Sequence, residues 1–168
     1  MLRLFAKTLK TGVVTERIKQ PSVQELEQLG IKIKRYIDNH FSGSLAIRAV
    51  DAGSCNGCEL EIHALNNPLY DIERFGIHFV ASPRHADVLL VTGPVSRHMQ
   101  TALLRTYAAT PNPKWVVAVG DCAVCGGEFG TSYASCGAVE NVIPVDVTIP
   151  GCPPSPETLL KALLGFMK

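Results

Sequence analysis

Four cysteines of this chain have the spacing expected of ligands to a metal centre. Cys55 and Cys58 form a Cys-x-x-Cys pair, and Cys122 and Cys152 follow singly, far along the chain. Each stands where an apolar, β-branched run gives way to glycine, which predicts the loop after a strand. Because such loops gather at one edge of an open parallel sheet, the four thiolates are expected to meet there. A set of this kind is typical of an iron–sulfur or a zinc site.

The spacing favours iron–sulfur. Structural zinc usually takes two compact pairs of ligands, whereas Cys122 and Cys152 are remote single ligands. A cysteine followed by proline, as at Cys152, recurs at the end of iron–sulfur ligand sets. The residues therefore favour a [4Fe–4S] cluster, with zinc as the alternative. A redox dithiol at Cys55 and Cys58 is less favoured, because it leaves the other two cysteines without a role.

Two further cysteines complicate the ligand set. Cys125 forms a second Cys-x-x-Cys pair with Cys122, so either of them could be the third ligand. Cys122 is preferred because it directly follows an apolar run that reads as a strand. Gly126 and Gly127 would let the backbone pass close to a cluster and donate N–H groups to its sulfurs. Cys136 is interpreted as a small buried apolar residue.

Short aliphatic runs alternate with helical patterns from Ser44 onward, which predicts an α/β fold with a parallel sheet covered on both faces. The predicted strands are Leu45–Val50, His78–Ala81, Asp87–Thr92, Trp115–Val119 and Val145–Ile149. The predicted helices are Cys58–Asn66, Ser96–Ala109 and Pro156–Met167. Residues 44–168 are thus predicted to form an α/β iron–sulfur domain.

Residues 1–43 are predicted to be an N-terminal extension. Met1, Phe5 and Leu9 recur at helical spacing among basic residues, which suggests an amphipathic helix that docks on a partner or a membrane. A second pattern, over residues 23–38, predicts one helix or two short ones broken near Gly30.

Composition and charge exclude some classes of function for this protein and favour others. The 168 residues are 46% hydrophobic and 18% charged, which suggests a subunit covered by partners. The formal net charge of +1, without a basic cluster, argues against a nucleic-acid partner. The apolar runs are too short to span a membrane, and the start of the chain lacks a signal peptide, so a cytoplasmic protein with reduced thiols is expected.

Several stretches of the sequence together resemble one known family. They are Gly-Ser-Cys-Asn-Gly-Cys-Glu-Leu-Glu-Ile (53–62), Tyr-Asp-Ile-Glu-Arg-Phe-Gly-Ile (70–77), Ser-Pro-Arg-His-Ala-Asp-Val-Leu-Leu-Val-Thr-Gly (82–93), Gly-Asp-Cys-Ala-Val-Cys-Gly-Gly (120–127) and Pro-Val-Asp-Val-Thr-Ile-Pro-Gly-Cys-Pro-Pro (144–154). Over about residues 44–168 the chain resembles the small cluster-bearing subunit of respiratory complex I, the 20 kDa PSST-type subunit. It is similar as well to the small subunits of membrane-bound group 4 [NiFe] hydrogenases.

The resemblance implies a flavodoxin-like domain that holds one [4Fe–4S] cluster on Cys55, Cys58, Cys122 and Cys152. The family commonly has serine at the position of Cys125, which makes that residue a departure from the pattern. Complex I has two adjacent cysteines at the first site, whereas this chain has Cys-x-x-Cys. The chain therefore looks closest to the formate hydrogenlyase type.

The resemblance also implies a role and partners. The chain would relay electrons beside the active site of a catalytic large subunit, either a [NiFe] subunit or one similar to the complex I 49 kDa subunit. A ferredoxin-like polycluster subunit and membrane subunits would complete a complex on the cytoplasmic side of the cell membrane. Glu61 is the candidate proton relay by resemblance, and Glu59 and Glu61 are expected on different faces of a helix.

Three alternatives remain. The first is the equivalent subunit of a quinone-reducing complex I, and the second is a nickel-free, antiporter-linked relative of it. The third is a zinc-stabilised binding module without a redox role.

Overall fold

A computed structural model describes residues 2–12 and 23–166 of the chain. The helices are α1 (Leu2–Thr11), α2 (Val23–His40), α3 (Gly57–Ala64), α4 (Arg97–Ala109), α5 (Asp121–Cys125) and α6 (Pro156–Phe166). The strands are β1 (Leu45–Asp51), β2 (Ile77–Phe79), β3 (Val88–Thr92), β4 (Trp115–Val119) and β5 (Val147–Ile149). In the described ranges, none of the helices combines the length and the apolar character needed to cross a bilayer.

The five strands form one parallel sheet in the order β2-β1-β3-β4-β5. This is the order of flavodoxin-like folds, in which ligands bind where the direction of winding reverses, here between β1 and β3. Every residue of the central strand β3 is buried, as expected of a parallel strand covered on both faces. The predicted α/β class and flavodoxin-like architecture are confirmed.

Two apolar cores lie on opposite faces of the sheet. One packs residues of α2, α3 and α6 against alternate residues of the strands, such as Ile47 and Val117. The other packs α4, α5 and the segment after α5 against the opposite set, such as Val50 and Val116. This alternation follows from the strand geometry, in which successive side chains point to opposite faces.

Helix α2 runs unbroken through Gly30, so the pattern over 23–38 is one helix and not two. A side chain at position 30 would collide with the ring of Phe75, which packs against the helix there. Ile33 and Ile37 on the same helix are fully buried in the core below. Residues before 44 therefore contribute to the core of the α/β domain. The boundary at 44 and the docking role of residues 1–43 stay predictions. Met1 and residues 13–22 of that segment lie outside the described ranges, as does Met167 at the predicted end of the last helix.

Two aspartates fasten neighbouring strands at the amino edge of the sheet. The backbone N–H of Asp87 donates to the carbonyl of Ala46, whose own N–H donates to the Asp87 carboxylate, both at 2.9 Å. Asp146 makes the same reciprocal pair with Val116, at 2.9 Å and 2.8 Å. Each pair fixes where a strand enters the sheet, and thereby the register that carries through to the opposite edge.

Candidate metal centre

The four predicted cysteines lie together at the carboxyl edge of the sheet. Cys55 and Cys58 follow β1, Cys122 follows β4 and Cys152 follows β5. They line one cavity of about 110 Å³. Its other lining residues are Ser54, Gly57, Gly93, Asp121, Gly151 and Pro153. Gly93 directly follows β3, so the cavity lies at the point where the winding of the sheet reverses.

The expectation that every cysteine lies in a loop was wrong for Cys122, whereas Cys58 lies at the start of a helix, as the predicted helix Cys58–Asn66 implies. Cys58 is in the first turn of α3, and Cys122 is in α5. Helix α5 has only five residues between two glycines with positive φ, Gly120 and Gly126, so its sequence is too short to show a helical period. As predicted, Cys58 nevertheless lies directly after the turn that follows β1, and Cys122 lies shortly after the end of β4.

The turn after β1 is shaped by its own polar side chains. One oxygen of Asp51 accepts hydrogen bonds from the N–H groups of Gly53 and Ser54, each at 2.8 Å. The Ser54 hydroxyl accepts the N–H of Asn56 at 3.1 Å. Asn56 then adopts the left-handed conformation, with φ of 71°, directly before α3. These bonds fold the Cys55 loop back on itself, as Asx turns do.

Two glycines leave room for the cysteine sulfurs. Gly120 has φ of 86° and ψ of 156°, a conformation essentially restricted to glycine. A Cβ there would lie 2.6 Å from Cys58 Sγ, and a Cβ at Gly127 would lie 2.7 Å from Cys122 Sγ. Both distances are far below a carbon–sulfur contact, so a side chain at either glycine would displace a sulfur.

Asp121 joins the loops that carry Cys122 and Cys152. Its N–H donates to the Gly151 carbonyl at 2.9 Å, and the Gly151 N–H donates to the Asp121 carboxylate at 2.8 Å. This is the same reciprocal pair that fastens the strands at the amino edge. The Asp121 carboxylate is thus an acceptor for a backbone N–H group of the neighbouring loop.

The thiols influence each other's ionisation. The pKa of Cys58 is raised to about 11, mainly because burial disfavours the thiolate. Nearby anionic groups raise this pKa further: they are Glu59, Cys55, Cys122 and Cys152. Burial also raises the pKa of Cys122, with smaller contributions from Cys152, Cys55, Asp121 and Cys125. Four thiolates so close together need a cationic group between them.

The remaining cysteines are placed differently. The thiol of Cys125 is exposed and donates to the Asp121 carbonyl at 3.1 Å, and it does not line the cavity. Cys136 is buried in the core beneath α4, which confirms its interpretation as a small apolar residue.

The two glutamates of α3, Glu59 and Glu61, differ in their surroundings. Glu61 is half-buried and lies near Tyr70, whose pKa is raised mainly by burial and then by Glu157 and Glu61. Both carboxyl oxygens of Glu59 are buried and have no hydrogen-bond partner among the residues that the structure describes. The sequence ranked Glu61 first and gave no signal for the burial of Glu59, because both are acidic residues near the start of one helix.

The donor set and the space around it fit a [4Fe–4S] cluster. Four thiols surround one cavity, and glycines stand where side chains would meet two of the sulfurs. Over residues 2–12 and 23–166, no group of three or more histidine, cysteine, aspartate or glutamate side chains is arranged to hold a single metal ion. The assignment of the ligands stays a prediction.

Comparison with known proteins identifies related chains. The family model of the NADH ubiquinone oxidoreductase 20 kDa subunit matches residues 55–166. Formate hydrogenlyase subunit 7 of Escherichia coli is 50% identical over 117 residues, which are 70% of this chain and 46% of that protein. The chain thus matches less than half the length of that relative.

Two further relatives are matched over a larger share of their length. The probable membrane-bound hydrogenase subunit mbhJ of Pyrococcus furiosus is 49% identical over 115 residues, 68% of this chain and 69% of that protein. Among solved structures, a chain of the membrane-bound sulfane sulfur reductase, an archaeal respiratory membrane complex, superposes with a TM-score of 0.65. That match has 38% identity and covers 74% of this chain and 68% of the other.

Proposed function

Because this chain belongs to the NADH ubiquinone oxidoreductase 20 kDa subunit family, we propose that it is the electron-transfer subunit of a membrane-bound [NiFe] hydrogenase complex. The observation that carries the proposal is the single cavity shared by Cys55, Cys58, Cys122 and Cys152. The Cys-x-x-Cys spacing of the first pair and the identity to formate hydrogenlyase subunit 7 favour the hydrogenase branch.

In this proposal the four cysteines hold one [4Fe–4S] cluster. When bound, the cluster supplies a one-electron carrier. The chain's own residues hold the sulfurs apart and in place: Asp51 shapes the first loop, and Asp121 ties the other two together. Gly120 and Gly127 let the backbone approach the sulfurs closely.

The partners follow from the same proposal. A catalytic large subunit would lie against the carboxyl edge of the sheet, and a ferredoxin-like polycluster subunit would exchange electrons with it. Membrane subunits would hold the assembly at the cytoplasmic side of the membrane. The relatives that carry this inference are named as parts of a formate hydrogenlyase, a membrane-bound hydrogenase and a respiratory membrane complex.

The test is spectroscopy of the anaerobically purified chain. We expect a brown protein that gives a [4Fe–4S]⁺ EPR signal after reduction with dithionite. The isolated chain should not evolve hydrogen, since the nickel site would lie in the large subunit. A colourless protein with one bound zinc would overturn the proposal in favour of a zinc-stabilised module.

A proton-relay role for Glu61 is the second part of the proposal. Glu61 is half-buried on α3, the helix that begins at the first cysteine pair. In the assembled complex, Glu61→Gln should lower turnover roughly tenfold or more, because general acid–base transfer contributes at least that much. The cluster signal should be unchanged, and Glu140→Gln, at an exposed position, serves as the control. Unchanged turnover would refute the role.

A second candidate function is supported by the likeness to the sulfane sulfur reductase chain. In that case the chain would carry the same cluster in a nickel-free relative or in a quinone-reducing complex of the complex I type. The large subunit distinguishes these readings, because a [NiFe] site needs cysteine pairs that the nickel-free relatives lack. Nickel content of the purified complex is the measurement.

A further inference from the structure

One edge of the sheet is incomplete near the first cysteine pair. Strand β2 ends at Phe79 and pairs only with Leu45–Ile47 of β1. On its other side β1 stays paired with β3 as far as Asp51. Within the described ranges, β1 therefore has no strand partner on the β2 side after Ile47, whose carbonyl accepts the Val80 N–H at 2.9 Å. Such an edge is able to take a further strand.

A cavity of about 270 Å³ lies beside this open edge and is separate from the cysteine cavity. The last residues of β1, the middle of α3 and the chain leaving β2 form its walls. Its apolar lining comes from Val50, Ile62, Phe79 and Val80. The volume accommodates one or two side chains of an extended segment, but not a folded element.

Two charged side chains in this cavity have buried atoms without partners. Both carboxyl oxygens of Glu59 and the Nε of Arg48 are buried and make no hydrogen bond within residues 2–12 and 23–166. Burying such groups without partners costs free energy that a partner would recover. Of the other ionisable groups in the lining, Asp51 already accepts two backbone N–H groups, and His63 is exposed. The cavity thus offers an acceptor for a cation and a donor for a carbonyl.

We propose that this cavity binds an extended segment of a partner subunit that continues the sheet beside β1. A lysine or arginine of that segment pairs with Glu59, and one of its backbone carbonyls accepts from Arg48 Nε. An extended peptide supplies both groups together with a backbone that pairs with the open edge. A small cation would satisfy Glu59 alone and would leave the apolar lining uncovered. The identity of the partner as another subunit of the complex rests on the proposed function.

Photo-crosslinking in the assembled complex tests the proposal directly. The variant His63→p-benzoylphenylalanine places the reactive group at an exposed position of the cavity lining. We expect a crosslink to a peptide of another subunit, with a lysine or arginine within about two residues of the link. No crosslink at this position, a link within this chain, or a link to a segment without a basic residue would each overturn the proposal.

The charge of Glu59 provides a second test, because the same substitution should stabilise the isolated chain and weaken its association with the partner. In the isolated cluster-loaded chain, Glu59→Gln should raise the unfolding midpoint by about 2–4 °C, because a buried unpaired charge is removed. In the complex, the same variant should weaken association of the chain roughly tenfold or more, because the partner's cation loses its counter-charge. Glu140→Gln should change neither value. A lower midpoint or unchanged association would contradict the pairing.

Exchanging the charges of Glu59 and of the partner's basic residue tests the ion pair itself. Glu59→Lys should abolish association, and replacing the crosslinked basic residue of the partner by glutamate should restore it in part. Failure of this rescue would overturn the assigned ion pair. If the complex assembles with its cluster signal intact but gives no crosslink, only this inference fails. If no cluster-bearing complex forms at all, the proposed function fails instead.

Discussion

The chain contains two Cys-x-x-Cys segments whose spacing is identical and whose surroundings are not. In the first, both Cys55 and Cys58 line the cavity. In the second, Cys122 lines it, while Cys125 is exposed and its thiol donates to the Asp121 carbonyl. The first pair spans a turn and the start of a helix, whereas the second lies entirely within α5. The spacing of two cysteines therefore does not decide whether both can bind one group, because the backbone between them does.

The two segments are also anchored differently. Asp51 accepts N–H groups from its own loop, so the first pair is held by local bonds. Asp121 accepts the N–H of Gly151, so the second segment is held to the loop of Cys152. A loop that carries a cysteine can thus be fixed by its own bonds or by a neighbouring loop. Removing Asp51 should therefore affect one loop, whereas removing Asp121 should affect two.

The largest effect, on iron content, is expected when a cysteine of the first segment is compared with Cys125 of the second. Cys58→Ser should remove most of the bound iron and the [4Fe–4S]⁺ signal, since one of four ligands is lost. Cys125→Ser should leave both unchanged, because its thiol does not line the cavity. Iron content and EPR of the anaerobically purified variants are the measurements. Loss of the cluster in Cys125→Ser would mean that the second pair binds like the first.

A smaller effect on stability and iron content is expected from replacing Gly120, which lies in the sequence between the two segments. Gly120→Ala places a Cβ 2.6 Å from Cys58 Sγ and forces a conformation restricted to glycine. It should lower the free energy of unfolding by roughly 2 kcal/mol or more and reduce the iron content.

Gly130→Ala is the matched control. Gly130 also has a positive φ, of 51°, but no atom of the described part of the chain lies within 4 Å of the added Cβ. We expect a cost of about 1 kcal/mol there, with full iron content. Denaturant unfolding followed by far-UV circular dichroism measures both variants. Equal losses of iron would show that the contact with the sulfur is unimportant.

The smallest expected effect compares the two anchors. Asp121→Ala removes the acceptor for Gly151 and should lower the free energy of unfolding by about 1 kcal/mol. It should also speed the loss of iron to a chelator, because two ligand loops come apart. Asp51→Ala should cost a similar free energy but loosen only the first pair. Faster iron loss in Asp51→Ala than in Asp121→Ala would reverse the ranking of the two anchors.

Much of the fold could be predicted because the buried strands carry an unbroken aliphatic signal. Val88–Thr92 and Trp115–Val119 match the prediction closely, and the positions of the cysteines after such strands placed them at one edge. Helix α5 could not be predicted, because five residues between glycines have no periodicity to detect. The continuity of α2 could not be predicted either, because Gly30 lowers the helix propensity of the segment. The ring of Phe75 occupies the space that a side chain at position 30 would need, and this tertiary contact has no signal in the local sequence.

The site was predictable at the level of residue type and not at the level of neighbours. That Cys55, Cys58, Cys122 and Cys152 meet in one cavity could be predicted from spacing and resemblance, and their assignment as ligands stays a prediction. The unpartnered burial of Glu59 involves a cavity that residues of β1, α3 and β2 form together, and such a tertiary arrangement has no local signal in the sequence. The acceptor role of Asp121 likewise depends on Gly151, thirty positions along the chain.

The bonds between Asp121 and Gly151 have a consequence for how the protein matures. They involve only the chain's own atoms, so folding itself brings the loops of Cys122 and Cys152 together. The conformational entropy of joining these loops is then lost during folding and not during metal insertion. If the chain binds the proposed cluster, the cluster would meet two cysteine loops that are already joined, and its insertion after synthesis would not require these loops to refold.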